Sequence, residues 1–199
     1  MTYGIILSAF CGYLLGSVPF GLLVTRWAGL GDIRQIGSGN IGATNVLRTG
    51  RKDLALLTLL FDLGKAALAA LLFRWLFQSE LIGFVAGFCA VLGHNYPVWL
   101  HFKGGKGVAS TLGMMLVLTP WVGVATCLTW LIMAVLFRYS SLSALTALCL
   151  APVYAFIWAT PTAAGCYVLL AALSLWRHRG NIVRLWRGQE SKIQFKRKK

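Results

Sequence analysis

The sequence predicts an all-α, polytopic membrane bundle of seven transmembrane segments. Three observations lead there. Of its 199 residues, 58% are hydrophobic and only 12% are charged. Apolar runs long enough to cross a bilayer recur from end to end. Those runs are continuous, whereas the strands of an outer-membrane barrel alternate apolar and polar residues.

The segments fall at about 3–25, 54–77, 81–100, 107–119, 121–137, 141–158 and 161–176. The first has no basic stretch before it and is too long for a signal-peptide core, so it reads as a retained span. The second contains Asp62 and Lys65. Unpaired, each would cost about 2.5–3.5 kcal/mol at mid-bilayer. Three residues apart on a helix they can pair, so they read as a structural ion pair facing the bundle or the site. The fourth segment is short and reaches only about 18 Å, against a hydrocarbon core of about 30 Å. Pro120 and Pro161 open the fifth and seventh segments, each after a threonine. After the last segment, Arg177, Arg184 and Arg187 alternate with Ile182, Leu185 and Trp186, the pattern of a basic amphipathic helix on a membrane surface. The closing KRKK at 196–199 is expected to anchor on anionic membrane lipid. No linker separates a second module, so a single domain over 1–199 is expected.

Charge sets the topology. The net charge is +14. Seventeen of the nineteen Lys and Arg lie in 26–53, 101–107, 138–140 and 177–199, which seven spans place on one side. By the positive-inside rule the N-terminus lies outside, and the C-terminus and every basic loop are cytoplasmic. Basic residues that border apolar segments suit lipid headgroups rather than nucleic acid, and no nucleic-acid partner is expected. The five cysteines all lie in apolar runs without ligand spacing and read as small hydrophobes.

Two cytoplasmic loops combine glycine with cations. In GSGNIGATNVLR (37–48) the glycines allow a tight turn whose N–H groups face an anion. Ser38, Asn40, Thr44 and Asn45 add neutral donors, and Arg48 adds a bidentate cation. The letters match GxGxxG, but no strand precedes them and no βαβ unit surrounds them, so a dinucleotide fold is rejected. In KGGKG, Lys103 and Lys106 bracket Gly104 and Gly105, and Gly107 precedes a helix opening at Val108. Unpaired helix N–H groups and two cations make an anion site there. His94, at the end of the third segment, is either a proton carrier or phosphate donor, or a helix-end histidine bonded to a carbonyl. His178 and Asn181 lie one helical turn apart and can share a pocket. Only five acidic residues are present and none pair beside a basic loop. Phosphate binding by Lys, Arg and backbone amides is therefore expected, with no metal.

Together, SGNIGATNVLR, GHNYPVW with FKGGKGVAST, and RHRGNIVRLWRGQESKI resemble the three cytoplasmic motifs of the bacterial acyl-phosphate-dependent glycerol-3-phosphate acyltransferases. GSVPFG and DLGK resemble that family too, and the likeness runs along essentially the whole chain. One departure is Ile41, where the family usually has proline. The resemblance implies an enzyme that moves a fatty acyl group from acyl phosphate to the 1-hydroxyl of glycerol-3-phosphate, giving lysophosphatidic acid and phosphate without a cofactor. It implies that Ser38 and Arg48 contact phosphate, with Asn40, Thr44 and Asn45 lining the site. It further implies that 103–107 holds glycerol-3-phosphate with Lys106 on a phosphate and His94 nearby. His178 and Asn181 would be catalytic or touch substrate, and Glu190 would be a structural anchor.

Overall fold

The computed structural model describes residues 1–193, and the expected basic anchor at 196–199 lies outside them. The described chain is helical throughout, in two compact units, Met1–Leu118 and Thr119–Lys199. Five helical stretches are long and apolar enough to cross a membrane, Thr2–Trp27, Lys52–Phe77, Glu80–Leu100, Pro120–Phe137 and Ser140–Trp158.

The unit Met1–Leu118 holds α1 (Thr2–Gly16), α2 (Phe20–Trp27), α3 (Ala43–Leu47), α4 (Lys52–Phe77), α5 (Glu80–Asn95) and α6 (Val108–Leu118). The first apolar segment is not one helix as expected. It breaks at Ser17-Val18-Pro19, and Pro19 has no N–H to continue the ladder. The buried face of α1 is Gly4, Ser8, Gly12 and Gly16, one small residue per turn. A Cβ at Gly12 or Gly16 would strike the carbonyl of Ala86 or Ala90 on α5. The two backbones therefore pack at the close range small residues permit. The same device joins α6 to α4, where a Cβ at Gly113 would strike the carbonyl of Leu63. Buried Ala66, Ala69 and Ala70 line the inner face of α4, while Leu60, Leu68, Leu71 and Leu72 are exposed. Small residues inside and large apolar ones outside is the pattern of a helix with lipid as its outer solvent.

The unit Thr119–Lys199 holds α7 (Pro120–Phe137), α8 (Ser140–Trp158), α9 (Pro161–Arg177) and α10 (Arg179–Trp186). Pro120 and Pro161 occupy the first turns of α7 and α9, as expected. Ala144, Ala147, Ala151 and Ala155 make the buried stripe of α8. Hydroxyl pairs lace the helices, Thr119 with Tyr167 at 2.6 Å and Thr129 with Tyr154 at 2.8 Å. The basic amphipathic pattern after the last segment forms α10.

Candidate active site

The first glycine loop is organised by one buried amide. Asn45 sits on α3, 2% exposed. Its Nδ2 donates toward the carbonyls of Ile33, Ile36 and Asn40 at 2.8–2.9 Å. Its Oδ1 accepts from the Ser38 N–H at 3.0 Å, the Ser38 hydroxyl at 3.3 Å and Arg48 Nη1 at 3.4 Å. The amide's two hydrogens are thus engaged inside the loop, and Asn45 holds Ser38 and Arg48 together. Gly37 has φ +58, and a Cβ there would crowd Asn45 Oδ1 at 2.6 Å and Arg48 Cδ at 2.7 Å, so only glycine lets both approach. Ser38 and Arg48 themselves are exposed at the loop surface.

Upstream, Asp32 caps the 3₁₀ turn Ile33–Gln35 by accepting from the Arg34 N–H. Hydrogen bonds from the Arg34 side chain hold the Asp32 carboxyl well below the usual range. Ile41, the departure from the family pattern, is buried, and its carbonyl lies against Gly21 of α2. Asn40 Oδ1 accepts from the Ile41 N–H at 3.0 Å, and Thr44 stands half-buried on α3.

The second loop, 103–107, lies against the end of α5. A Cβ at Gly104 would strike Pro97 and the His94 carbonyl, one at Gly105 would strike His94 Nε2, and one at Gly107 would come within 2.8 Å of Asn95 Oδ1. The Gly105 N–H donates to the His94 carbonyl at 2.9 Å. Each glycine is therefore required by a specific contact, and Gly107 adds φ +77. Lys103 is exposed and Lys106 half-buried just before α6, and the first turn of a helix offers N–H groups that no carbonyl within the helix takes up. Asn95 is fully buried, and neither of its side-chain polar atoms has a hydrogen-bond partner.

Under this loop lie three buried polar side chains. Lys65 Nζ is 2.9 Å from Asp62 Oδ1, 2.8 Å from His94 Nδ1 and 3.0 Å from the Val18 carbonyl. Asp62 Oδ1 pairs with Lys65 by distance but lies outside hydrogen-bond geometry. Val18 sits in the break of the first segment, beside Pro19 and outside both helices. The break thus supplies the ammonium with an acceptor inside the membrane-spanning part of the unit. The expected Asp62–Lys65 pair is present, and His94 joins it, a partnership that 29 residues of separation hid from the sequence.

In the unit Thr119–Lys199, His178 joins α9 to α10, buried, with Nδ1 2.9 Å from the Ser174 carbonyl. Asn181 is one turn on and also buried. Glu190 binds three donors: Ser141 Oγ at 2.7 Å, Asn181 Nδ2 at 2.6 Å and Arg184 Nε at 2.7 Å. Burial raises the Glu190 carboxyl, and these three hydrogen bonds outweigh it and hold the group below its ordinary value. Among the described residues, no three His, Cys, Asp or Glu side chains converge as a metal site would require. Reading the sequence missed Val18, Asn95 and Ser141. Pro19, which cannot donate to a helix ladder, is the signal that could have pointed to the first of them.

Three comparisons with known proteins agree. The family model described as glycerol-3-phosphate acyltransferase matches residues 6–188. A glycerol-3-phosphate acyltransferase of Rhodospirillum rubrum is 61% identical, covering 96% of this chain and 91% of that protein. One from Maricaulis maris is 58% identical over 94% of this chain and 86% of that protein. The crystal structure of PlsY (YgiH), an integral membrane glycerol 3-phosphate acyltransferase, superposes in its glycerol 3-phosphate form with a TM-score of 0.88 at 35% identity, covering 96% of each chain. Its lysophosphatidic acid form superposes with a TM-score of 0.85 at 34% identity over 94% of each chain.

Proposed function

The chain belongs to the glycerol-3-phosphate acyltransferase family, and from that premise we propose that it transfers a fatty acyl group from acyl phosphate to the 1-hydroxyl of glycerol-3-phosphate. The products are lysophosphatidic acid and inorganic phosphate, at the entry to phospholipid synthesis. The observation that carries this reading is the 103–107 loop. Its glycines are fitted one by one against the end of α5, which sets Lys103 and Lys106 just before the start of α6, two cations at a helix N-terminus suited to a phosphate. A loop that served only to place positive charge inside would not need three glycines each forced by a contact.

The chemistry follows from the donor. Acyl phosphate is a mixed anhydride whose leaving group is phosphate, so the enzyme needs no covalent nucleophile of its own. Electrostatic neutralisation and proximity supply most of the rate. Lys106 and the loop amides neutralise the glycerol-3-phosphate dianion. Ser38 and Arg48, held together by Asn45, contact phosphate in the first loop, with Asn40 and Thr44 beside them. His178 and Asn181 are assigned to substrate contact or catalysis and Glu190 to anchoring Asn181. The attacking hydroxyl forms the ester C–O bond as the acyl C–O bond to phosphate breaks. Its proton passes to a substrate phosphate or to His178.

The same proposal extends to topology. Alongside the five long apolar stretches, α6 is a shorter apolar helix; with α9 assigned as the seventh span, the N-terminus is periplasmic and the C-terminus and active site are cytoplasmic. The whole chain acts as one catalytic domain in the inner membrane.

The test uses purified protein in detergent with palmitoyl phosphate and glycerol-3-phosphate. Phosphate release that depends on both, with lysophosphatidic acid formed, is expected. Turnover with palmitoyl-CoA instead would overturn the donor. No turnover with either would overturn the enzyme reading in favour of transport of a phosphorylated metabolite.

A further inference from the structure

We propose that the buried trio Asp62, Lys65 and His94 is a positioning device, in which Lys65 fixes the tautomer of His94 and the His94 ring sets the 103–107 loop for phosphate. The part concerning phosphate rests on the function proposed above, whereas the tautomer stands on geometry alone.

An ammonium carries three protons and no acceptor. Around Lys65 Nζ stand two hydrogen-bond acceptors, the Val18 carbonyl at 3.0 Å and His94 Nδ1 at 2.8 Å, and the counter-charge of Asp62 Oδ1 at 2.9 Å. The proton belongs on lysine rather than histidine, because Lys65 Nζ stands closer to the Asp62 carboxylate, at 2.9 Å, than His94 Nδ1 does, at 3.4 Å, and a buried carboxylate needs its counter-charge beside it. His94 Nδ1 also lies 3.4 Å from Asp62 Oδ1, yet that oxygen accepts no hydrogen bond from it. Nδ1 is thus the acceptor of a lysine proton. A neutral imidazole that accepts at Nδ1 carries its hydrogen on Nε2. The charges of Asp62 and Lys65 cancel, and His94 adds none, which suits their depth in α4.

The ring's other nitrogen faces the loop. Nε2 occupies the space a Cβ of Gly105 would need, and the His94 carbonyl accepts from the Gly105 N–H at 2.9 Å. His94 therefore touches Gly105 with both ring and backbone, one residue before Lys106. Any rotation of the ring displaces Gly105 and with it the cation that follows. Lys65 acts through His94 and is a positioning residue, not a catalytic one.

The first measurement is nitrogen NMR of the full chain, labelled with ¹⁵N-histidine, in micelles. The sequence has three histidines, and loss of one signal set in His94→Gln assigns the resonances. A hydrogen on Nε2 and a bare Nδ1 are expected for His94. A hydrogen on Nδ1, or on both nitrogens, overturns the proposal whatever the protein's activity. The second measurement is kinetic, on the double variant Asp62→Asn with Lys65→Met, which leaves neither charge buried alone. The glycerol-3-phosphate KM is expected to rise about tenfold, with the acyl phosphate KM unchanged and kcat within about threefold. A wild-type KM, or kcat and both KM values changing together, overturns it. Should that variant fail to fold, Gly105→Ala, which pushes loop from ring while the trio stays intact, must show the same KM split with the His94 nitrogen signature unchanged. A wild-type KM there overturns the proposal equally. If wild-type protein shows no turnover, the function proposed above fails while the nitrogen signature still decides the tautomer.

Discussion

Asn45 shows how one side chain can organise a loop from within. Its amide bonds Ser38 and Arg48 on one side and three carbonyls on the other. In Asn45→Asp, a carboxylate with no hydrogens would face those carbonyls. The loop should open and kcat should fall by about a hundredfold, the cost of misplacing reacting groups by an ångström. A steady-state assay checks this, and near-normal kcat would show that the loop tolerates the repulsion. Lys106→Ala should chiefly raise the glycerol-3-phosphate KM, by about tenfold or more, since it removes one charged contact to a bound phosphate. Glu190 predicts a pH effect. Its folded pKa is depressed, so the folded state favours the carboxylate. That stabilisation is complete above the ordinary glutamate value of about 4.3 and is lost as pH falls through the lower folded value. Thermal-shift curves of wild type and Glu190→Gln should therefore differ near neutrality and converge in acid. A difference that grows on acidification would reverse the assignment.

At the scale of elements, the periodic part of the fold was legible and the interrupted part was not. Five of the seven apolar segments appear as single helices near their expected bounds, because a continuous apolar run admits little else in a bilayer. The third, expected over 81–100, ends as an α-helix at Asn95 before Pro97 and continues only as a 3₁₀ turn, Val98–Leu100. The first is two helices, since hydropathy cannot see that Pro19 removes a donor and frees backbone that another side chain then uses. Likewise, the two glycine-dependent loops were legible from composition, but not the reason for each glycine. Gly105 answers to His94, and Gly21 to Ile41, and such contacts are tertiary facts. The helix contact of α1 with α5 carries its own prediction. Gly16→Leu would drive a side chain into the Ala90 carbonyl, and Gly16→Ala already places a Cβ there. Overpacking of this kind costs about 1–3 kcal/mol, so the alanine variant should lower thermal stability in detergent and the leucine variant more. Replacing Gly165, which has no heavy atom near its virtual Cβ, should leave stability nearly unchanged.

For the whole molecule, the governing quantity is the distribution of charge along the chain. The links at 78–80 and 159–161 carry no Lys or Arg, while 26–53 and 177–199 carry most of them. A membrane that retains cations on its cytoplasmic face fixes the proposed orientation of the chain by that asymmetry alone. The proposed substrates fit the same arrangement, since phosphorylated glycerol is a cytoplasmic anion and the lysines proposed to receive it belong on that face. Gln78, between α4 and α5, and Ala159, between α8 and α9, are therefore expected outside. Gly29 and Gly188, both at positive φ where a substitution meets open space, are expected inside. In a background with the five native cysteines replaced by serine or alanine, a cysteine at Gln78 or Ala159 should react with a membrane-impermeant maleimide in spheroplasts. One at Gly29 or Gly188 should react only after permeabilisation. Labelling of Gly29→Cys in intact spheroplasts would place the first glycine loop on the outer face, away from its proposed substrates, and the topology and the function would fall together.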